Sequence, residues 1–254
     1  MKKFLFWVIA ILITIGSAVY QRLTGPTYPF RGKVALGDSV IKYRLARSAE
    51  STENCEIKIQ APNHNVSGEL IYRSFKQDDP WAIVPLQRKE DLLVASLPKQ
   101  PPAGKLAYKV ILRYEEKEAS LSGKNPLVIR FKGHVPTALL IFHIIVMFLA
   151  MLFSTRAGLE ALDSRSNPRK YALWTAGFLF FGGMILGAAV QKFSFGVFWS
   201  GLPFGFDLTD NKTLIALVGW IVALIAGRGG KPARWWVLGA SVLLLAVYLI
   251  PHSL

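Results

Sequence analysis

The stretch Val135–Thr155, VPTALLIFHIIVMFLAMLFST, has no Asp, Glu, Lys or Arg, and its polar side chains are confined to His143 and the hydroxyls of Thr137, Ser154 and Thr155. A helix of about 20 such residues, rising ~1.5 Å each, crosses a hydrocarbon layer of roughly 30 Å. The stretch therefore reads as a membrane span. Four further uncharged blocks occur at Phe4–Tyr20, Tyr171–Gln191, Thr213–Gly227 and Trp235–His252. The blocks starting at Val135, Tyr171 and Trp235 meet the length requirement directly. The block from Phe4 is shorter and also fits a cleavable signal, with Lys2 and Lys3 before it and Gly16, Ser17 and Ala18 near its end. The block from Thr213 is short enough to be re-entrant or interfacial. The reading adopted is five spans, the first retained as an anchor.

Composition agrees. Of 254 residues, 52% are hydrophobic and 18% charged, which excludes a disordered, collagen-like or ordinary water-soluble chain. Thirty Lys and Arg against 16 Asp and Glu give a formal charge of +14, but the basic residues are dispersed, so nucleic acid is not an expected partner. A lone Cys55 excludes an internal disulfide and any multi-thiolate metal site built by this chain alone.

Positive residues near span ends are retained in the cytoplasm. Lys2, Lys3, Arg156, Arg165, Arg169, Lys170, Arg228, Lys231 and Arg234 fall on one side, nine in all, against Lys192 and Lys212 on the other. Five spans then put the N-terminus inside, and both residues 21–133 and Pro251–Leu254 outside. The chain divides into an N-terminal anchor (1–20), a periplasmic β domain (21–133) and a four-helix membrane domain (134–254) with an external loop at 191–212.

Within the β domain, Ile41, Tyr43 and Leu45 alternate with Lys42 and Arg44. Cys55, Ile57 and Ile59 alternate with Glu56 and Lys58, and Leu106, Tyr108, Val110, Leu112 and Tyr114 follow the same rule. Period-two patterning places each apolar set on one buried face. Turn signals separate the strands: Asn63-His64-Asn65, Asp78-Asp79-Pro80, Lys89-Glu90-Asp91, Pro101-Pro102-Ala103-Gly104 and Gly123-Lys124-Asn125-Pro126. Seven or eight short strands in a sandwich are expected.

The runs Gly68–Arg73, Trp81–Leu86, Leu92–Pro98 and Ala103–Tyr108 resemble the immunoglobulin-like, fibronectin-III-like modules of bacterial surface and periplasmic proteins. The resemblance implies an all-β sandwich, with Tyr108 in the place of a tyrosine-corner side chain. It implies no single function, since such sandwiches serve as spacers, adaptors and binding faces. The membrane half resembles uncharacterised bacterial inner-membrane proteins, which implies no activity.

Three features of the membrane half are candidates for function. Gly183 and Gly187 have the spacing that lets helix backbones approach in lipid, either within this chain or against a partner. The loop from Gln191 to Lys212 carries Phe193, Phe195, Phe198, Trp199, Phe204 and Phe206, whereas an ordinary linker is polar. Its aromatic rings suit headgroup depth or a partner, with Phe198, Trp199 and Phe204 as contact residues. At its end, Asp207, Thr209 or Asp210 can cap the next helix. Asp207, Asp210 and Asn211 also form a weak cation-binding candidate, without the spacing of an EF-hand. His143, about 12 Å deep by rise per residue, is a candidate contact for a quinone or other cofactor, because a polar side chain in lipid must find a partner. A bis-histidine haem is not expected: His64, His134 and His252 lie at or beyond the outer boundary. Glu160 and Asp163 read as solvated ion pairs among arginines.

No nucleophile elbow, zinc-protease, phosphate-loop or C-x-x-C signature occurs, so no catalytic residue and no resident cofactor are expected. The expectation is a multi-pass bacterial inner-membrane protein with a periplasmic immunoglobulin-like domain. It would act as a non-catalytic subunit or adaptor, with lipids and other envelope proteins or a second copy as partners. The alternative is a small transporter or cofactor-binding membrane protein using His143 and the 191–212 loop.

Overall fold

The computed structural model describes residues 2–37, 39–75, 79–228 and 233–250. Lys231 of the charge count, Asp78 of one turn, His252 and the Pro251–Leu254 end lie outside the described residues. Two compact units emerge: Met1–Pro26 with Val135–Phe193 and Val197–Leu254, and Thr27–His134 with Ser194–Gly196.

The helical unit begins with α1 (Lys2–Thr24) and resumes after the β unit. Four of its helices are long and apolar enough to cross a membrane: α1, α2 (Thr137–Leu162), α3 (Arg169–Phe195) and α4 (Leu208–Ala226). A fifth, α5 (Arg234–Leu249), has 16 residues. Here the sequence expectation is corrected. The blocks taken as short, at Phe4 and Thr213, lie in helices of 23 and 19 residues, because Lys2, Lys3 and Gln21–Thr24 extend α1 and Leu208–Lys212 open α4. The block from Trp235, taken as long enough, gives the shortest helix. It stops at Ile250, which is extended (ψ 121°) before Pro251, as the residue preceding a proline prefers.

The burial pattern suits lipid. Phe4, Leu12, Phe142, Phe180 and Ile225 are exposed by 76, 64, 63, 54 and 58%, more apolar surface than a water-facing bundle tolerates. The interior is built of small and medium residues, among them Ala150, Ala157, Ala172 and Ala216, closed around the fully buried Trp220. Residues Phe180–Gly187 of α3 are wound as a π-helix. A Cβ on Gly182 would stand 2.8 Å from Val146 Cγ1, and one on Gly183 2.4 Å from Thr213 Cγ2. The close approach seen at these glycines is to the chain's own α2 and α4.

The β unit contains eleven strands among the described residues, against the seven or eight expected. They are β1 (Phe30–Leu36), β2 (Ser39–Leu45), β3 (Ser48–Glu50), β4 (Cys55–Gln60), β5 (Ser67–Ser74), β6 (Ala82–Pro85), β7 (Gln87–Lys89), β8 (Leu92–Leu97), β9 (Lys105–Tyr114), β10 (Lys117–Ser120) and β11 (Leu127–Lys132). The excess comes from strands of three or four residues, too short to carry a period. One sheet runs β3-β11-β9-β5-β6, with β10 also on β9; a second runs β4-β8-β7; β1 and β2 form a hairpin. All pairings are antiparallel except β3 with β11. The three sheets are not closed into one barrel.

Alternation explains the core. Ile57 and Ile59 of β4, Leu93 and Leu97 of β8, and Leu106, Tyr108, Val110 and Leu112 of β9 are buried and belong to one cluster with Ile41 and Leu45 of β2. Arg88 braces the 61–66 turn, its guanidinium donating to Ala61 O at 2.8 Å, Asn63 O at 3.2 Å and Val66 O at 2.5 Å. The Tyr108 hydroxyl donates to Ala46 O at 2.6 Å, a carbonyl 62 residues upstream, where a tyrosine corner closes on a carbonyl only a few residues away. Burial pushes its phenol pKa up.

Candidate functional site

The aromatic segment is shorter as a loop than expected. Gln191, Phe193 and Phe195 lie in α3, and the loop proper runs from 196 to 207. Its shape is set by Asp210. This side chain is buried in the first turn of α4, and its Oδ2 accepts from Ser200 N (2.6 Å), Gly201 N (3.0 Å), Gln191 Nε2 (3.0 Å) and Ser200 Oγ (3.3 Å). Next to it, Asn211 Oδ1 accepts from Leu202 N at 2.7 Å, and Trp199 Nε1 donates to Leu202 O at 3.0 Å. Buried backbone donors need acceptors, and these side chains supply them to a loop that no strand or helix satisfies.

Of the three capping candidates, Asp207 is the cap. Its Oδ1 accepts from Thr209 N (2.8 Å) and Asp210 N (3.2 Å). Of the residues in the cation reading, Asp207 Oδ1, Asp210 Oδ2 and Asn211 Oδ1 each accept from backbone N–H donors. Among the described residues no group of three His, Cys, Asp or Glu side chains could hold a metal.

Outside this lattice stand Phe198, Phe204 and Phe206, exposed by 61, 83 and 89%. Trp199 differs from the expected contact residue: it is half-buried, and its ring N–H is spent on closing the loop.

His143 of α2 is half-buried with Nδ1 at 3.0 Å from Gly182 O in the π-helical stretch. A carbonyl only accepts, so Nδ1 carries the proton and Nε2 of the neutral ring has a lone pair. His143 lines a cavity of about 170 Å³ between α1, α2, α4 and α5, together with Gln21, Lys212, Thr213 and Tyr248. Gly187 also lies here, a Cβ on it meeting His143 Cε1 at 3.4 Å.

Sequence reasoning missed a buried charge pair. Arg156 is fully buried and Glu160 nearly so, one helical turn apart and ion-paired, contrary to the expected solvated pairs. The guanidinium is ringed by Tyr171, Phe6 and Trp7, its Cζ lying 4.6, 5.3 and 5.5 Å from their ring centroids. The aromatic faces replace water around a cation that the expected span boundary at Thr155 places in the cytoplasm.

In the β unit, Cys55 is a free, half-buried thiol whose pKa is raised, first by burial and then by Glu53 and Glu56. A thiol held in its neutral form is a poor nucleophile.

No protein-family model matches the chain, and no curated protein or solved structure matches it.

Proposed function

We propose that the chain is a non-catalytic subunit or adaptor of a bacterial inner membrane, holding a periplasmic β module and docking other envelope proteins through its aromatic loop. The observation that carries this is the contrast between the loop's fixed backbone and its bare rings. Asp210, Asn211 and Trp199 hold the backbone, while Phe198, Phe204 and Phe206 have little cover. A preorganised loop loses little entropy on docking, and aromatic anchors dominate interface energies.

The β unit fits the role of a presented module. Its chain enters from α1 and leaves into α2 through the short connections 25–29 and 133–136. The pairing β4-β8-β7 opposite β11-β9-β5 supports an immunoglobulin-like assignment, with β4, β8 and β7 standing as B, E and D, and β5, β9 and β11 as C, F and G. The nine-to-two charge asymmetry supports an inside N-terminus and a periplasmic β unit.

Photocrosslinking in intact cells tests the proposal. A photoreactive residue at Phe204 should trap discrete envelope proteins, and one at the lipid-facing Phe142 only lipid. Lipid adducts alone at both positions would reduce the loop to a membrane anchor.

A further inference from the structure

The cavity beside His143 is unexplained by the docking role, and its lining has a definite chemistry. We propose that it binds the ring of a lipid-soluble quinone or quinol. None of the cavity's lining residues belongs to the 196–207 loop.

The size comes first. A cavity of about 170 Å³ is too small for a lipid or a whole cofactor, but an apolar protein cavity of roughly 150 Å³ admits one benzene ring. A single six-membered ring fits, with its chain outside. Met147, Phe148 and Val247 supply apolar wall, and Ile144, 42% exposed, forms part of the rim on the lipid-facing side of α2. A ring attached to an isoprenoid chain enters from that side without crossing water.

The polar groups then select among ring types. His143 Nδ1–H is spent on Gly182 O, so Nε2 presents an acceptor. Lys212 contributes an ammonium, of which one proton goes to Ile250 O at 2.8 Å. The Tyr248 hydroxyl donates to Met147 O at 2.8 Å, leaving its oxygen as an acceptor, and Gln21 Nε2 donates to Tyr248 O. The wall holds one cation, Lys212, and no carboxylate. It combines a cationic donor with neutral acceptors. A quinone carbonyl takes the donor, and a quinol hydroxyl donates to His143 Nε2.

The test uses the full chain in phosphatidylcholine nanodiscs, an azido-ubiquinone as photolabel and decylubiquinone as competitor. The expected result is saturable labelling, displaced by decylubiquinone, of peptides containing His143–Phe148 or Thr209–Thr213. His143→Leu should weaken half-saturation about tenfold, the effect of ~1.4 kcal/mol. Ile144→Trp narrows the rim from an exposed position that tolerates bulk, and should do the same should His143→Leu fail to fold. Label that decylubiquinone leaves in place, or unchanged half-saturation in a folded variant, overturns the proposal. Displacement by phosphatidylglycerol at the same mole fraction also overturns it, and assigns the cavity to lipid.

Discussion

Asp210 accepts the backbone amide of Ser200 at 2.6 Å, and this bond ties the aromatic loop to the first turn of the helix that follows it. Three other donors share the same carboxylate oxygen. Asp207, three residues earlier, caps the helix.

The two aspartates should therefore respond differently to loss of charge. Asp207→Asn keeps a good capping oxygen and should cost less than about 0.5 kcal/mol. Asp210→Asn weakens bonds to a charged acceptor and turns an amide nitrogen toward other donors; a loss of about 2–3 kcal/mol is expected. Thermal unfolding in detergent measures both, and equal effects would contradict the assignment.

Arg156→Ala leaves Glu160 buried without its partner, which in water-soluble proteins costs about 3–5 kcal/mol. Replacing both, as Arg156→Met with Glu160→Leu, should cost much less, because no charge is left stranded. A double-mutant cycle read by unfolding checks the pair. Simple additivity would show that the two side chains do not interact.

Tyr108→Phe keeps the ring in the β core and removes the hydroxyl that reaches Ala46 O. A loss of about 0.5–1.5 kcal/mol is expected, plus the cost of any carbonyl left without a donor. An unchanged melting temperature would show that water replaces the hydroxyl.

Cys55 supplies a pH dependence. Its thiol binds a proton more tightly in the folded chain than in the unfolded one. Its contribution to stability is therefore complete below the ordinary thiol range and is lost as pH rises through the raised folded value. Maleimide labelling of the native chain should need a higher pH than labelling of the denatured chain, and Cys55→Ala should flatten part of the alkaline fall in stability. Identical labelling profiles would contradict the burial effect.

How much of this was legible in the sequence differs by element. The alternation through Ile57, Ile59 and Leu106–Leu112 marks β4 and β9, because a half-buried strand writes its burial into every second residue. β3, β6, β7 and β10 are too short to do so. The apolar blocks mark the helices, yet not their ends: Arg156 and Glu160 read as a solvated exit from the span, and it is Tyr171 together with Phe6 and Trp7, residues distant in sequence, that make that turn an interior. Asp207 and Asp210 look alike at a helix start. What separates them is the folding back of Ser200 and Gly201, which no local pattern encodes.

The claim that the loop is a docking surface is tested most directly by replacing the two barest rings. Phe204→Ser with Phe206→Ser touches neither Asp210 nor its donors, so the melting temperature should remain at the wild-type value. Under the docking account, quantitative co-purification from native membranes then shows envelope partners retained by the wild type and lost from the double variant. Partners kept at wild-type stoichiometry by a double variant of unchanged stability would contradict it.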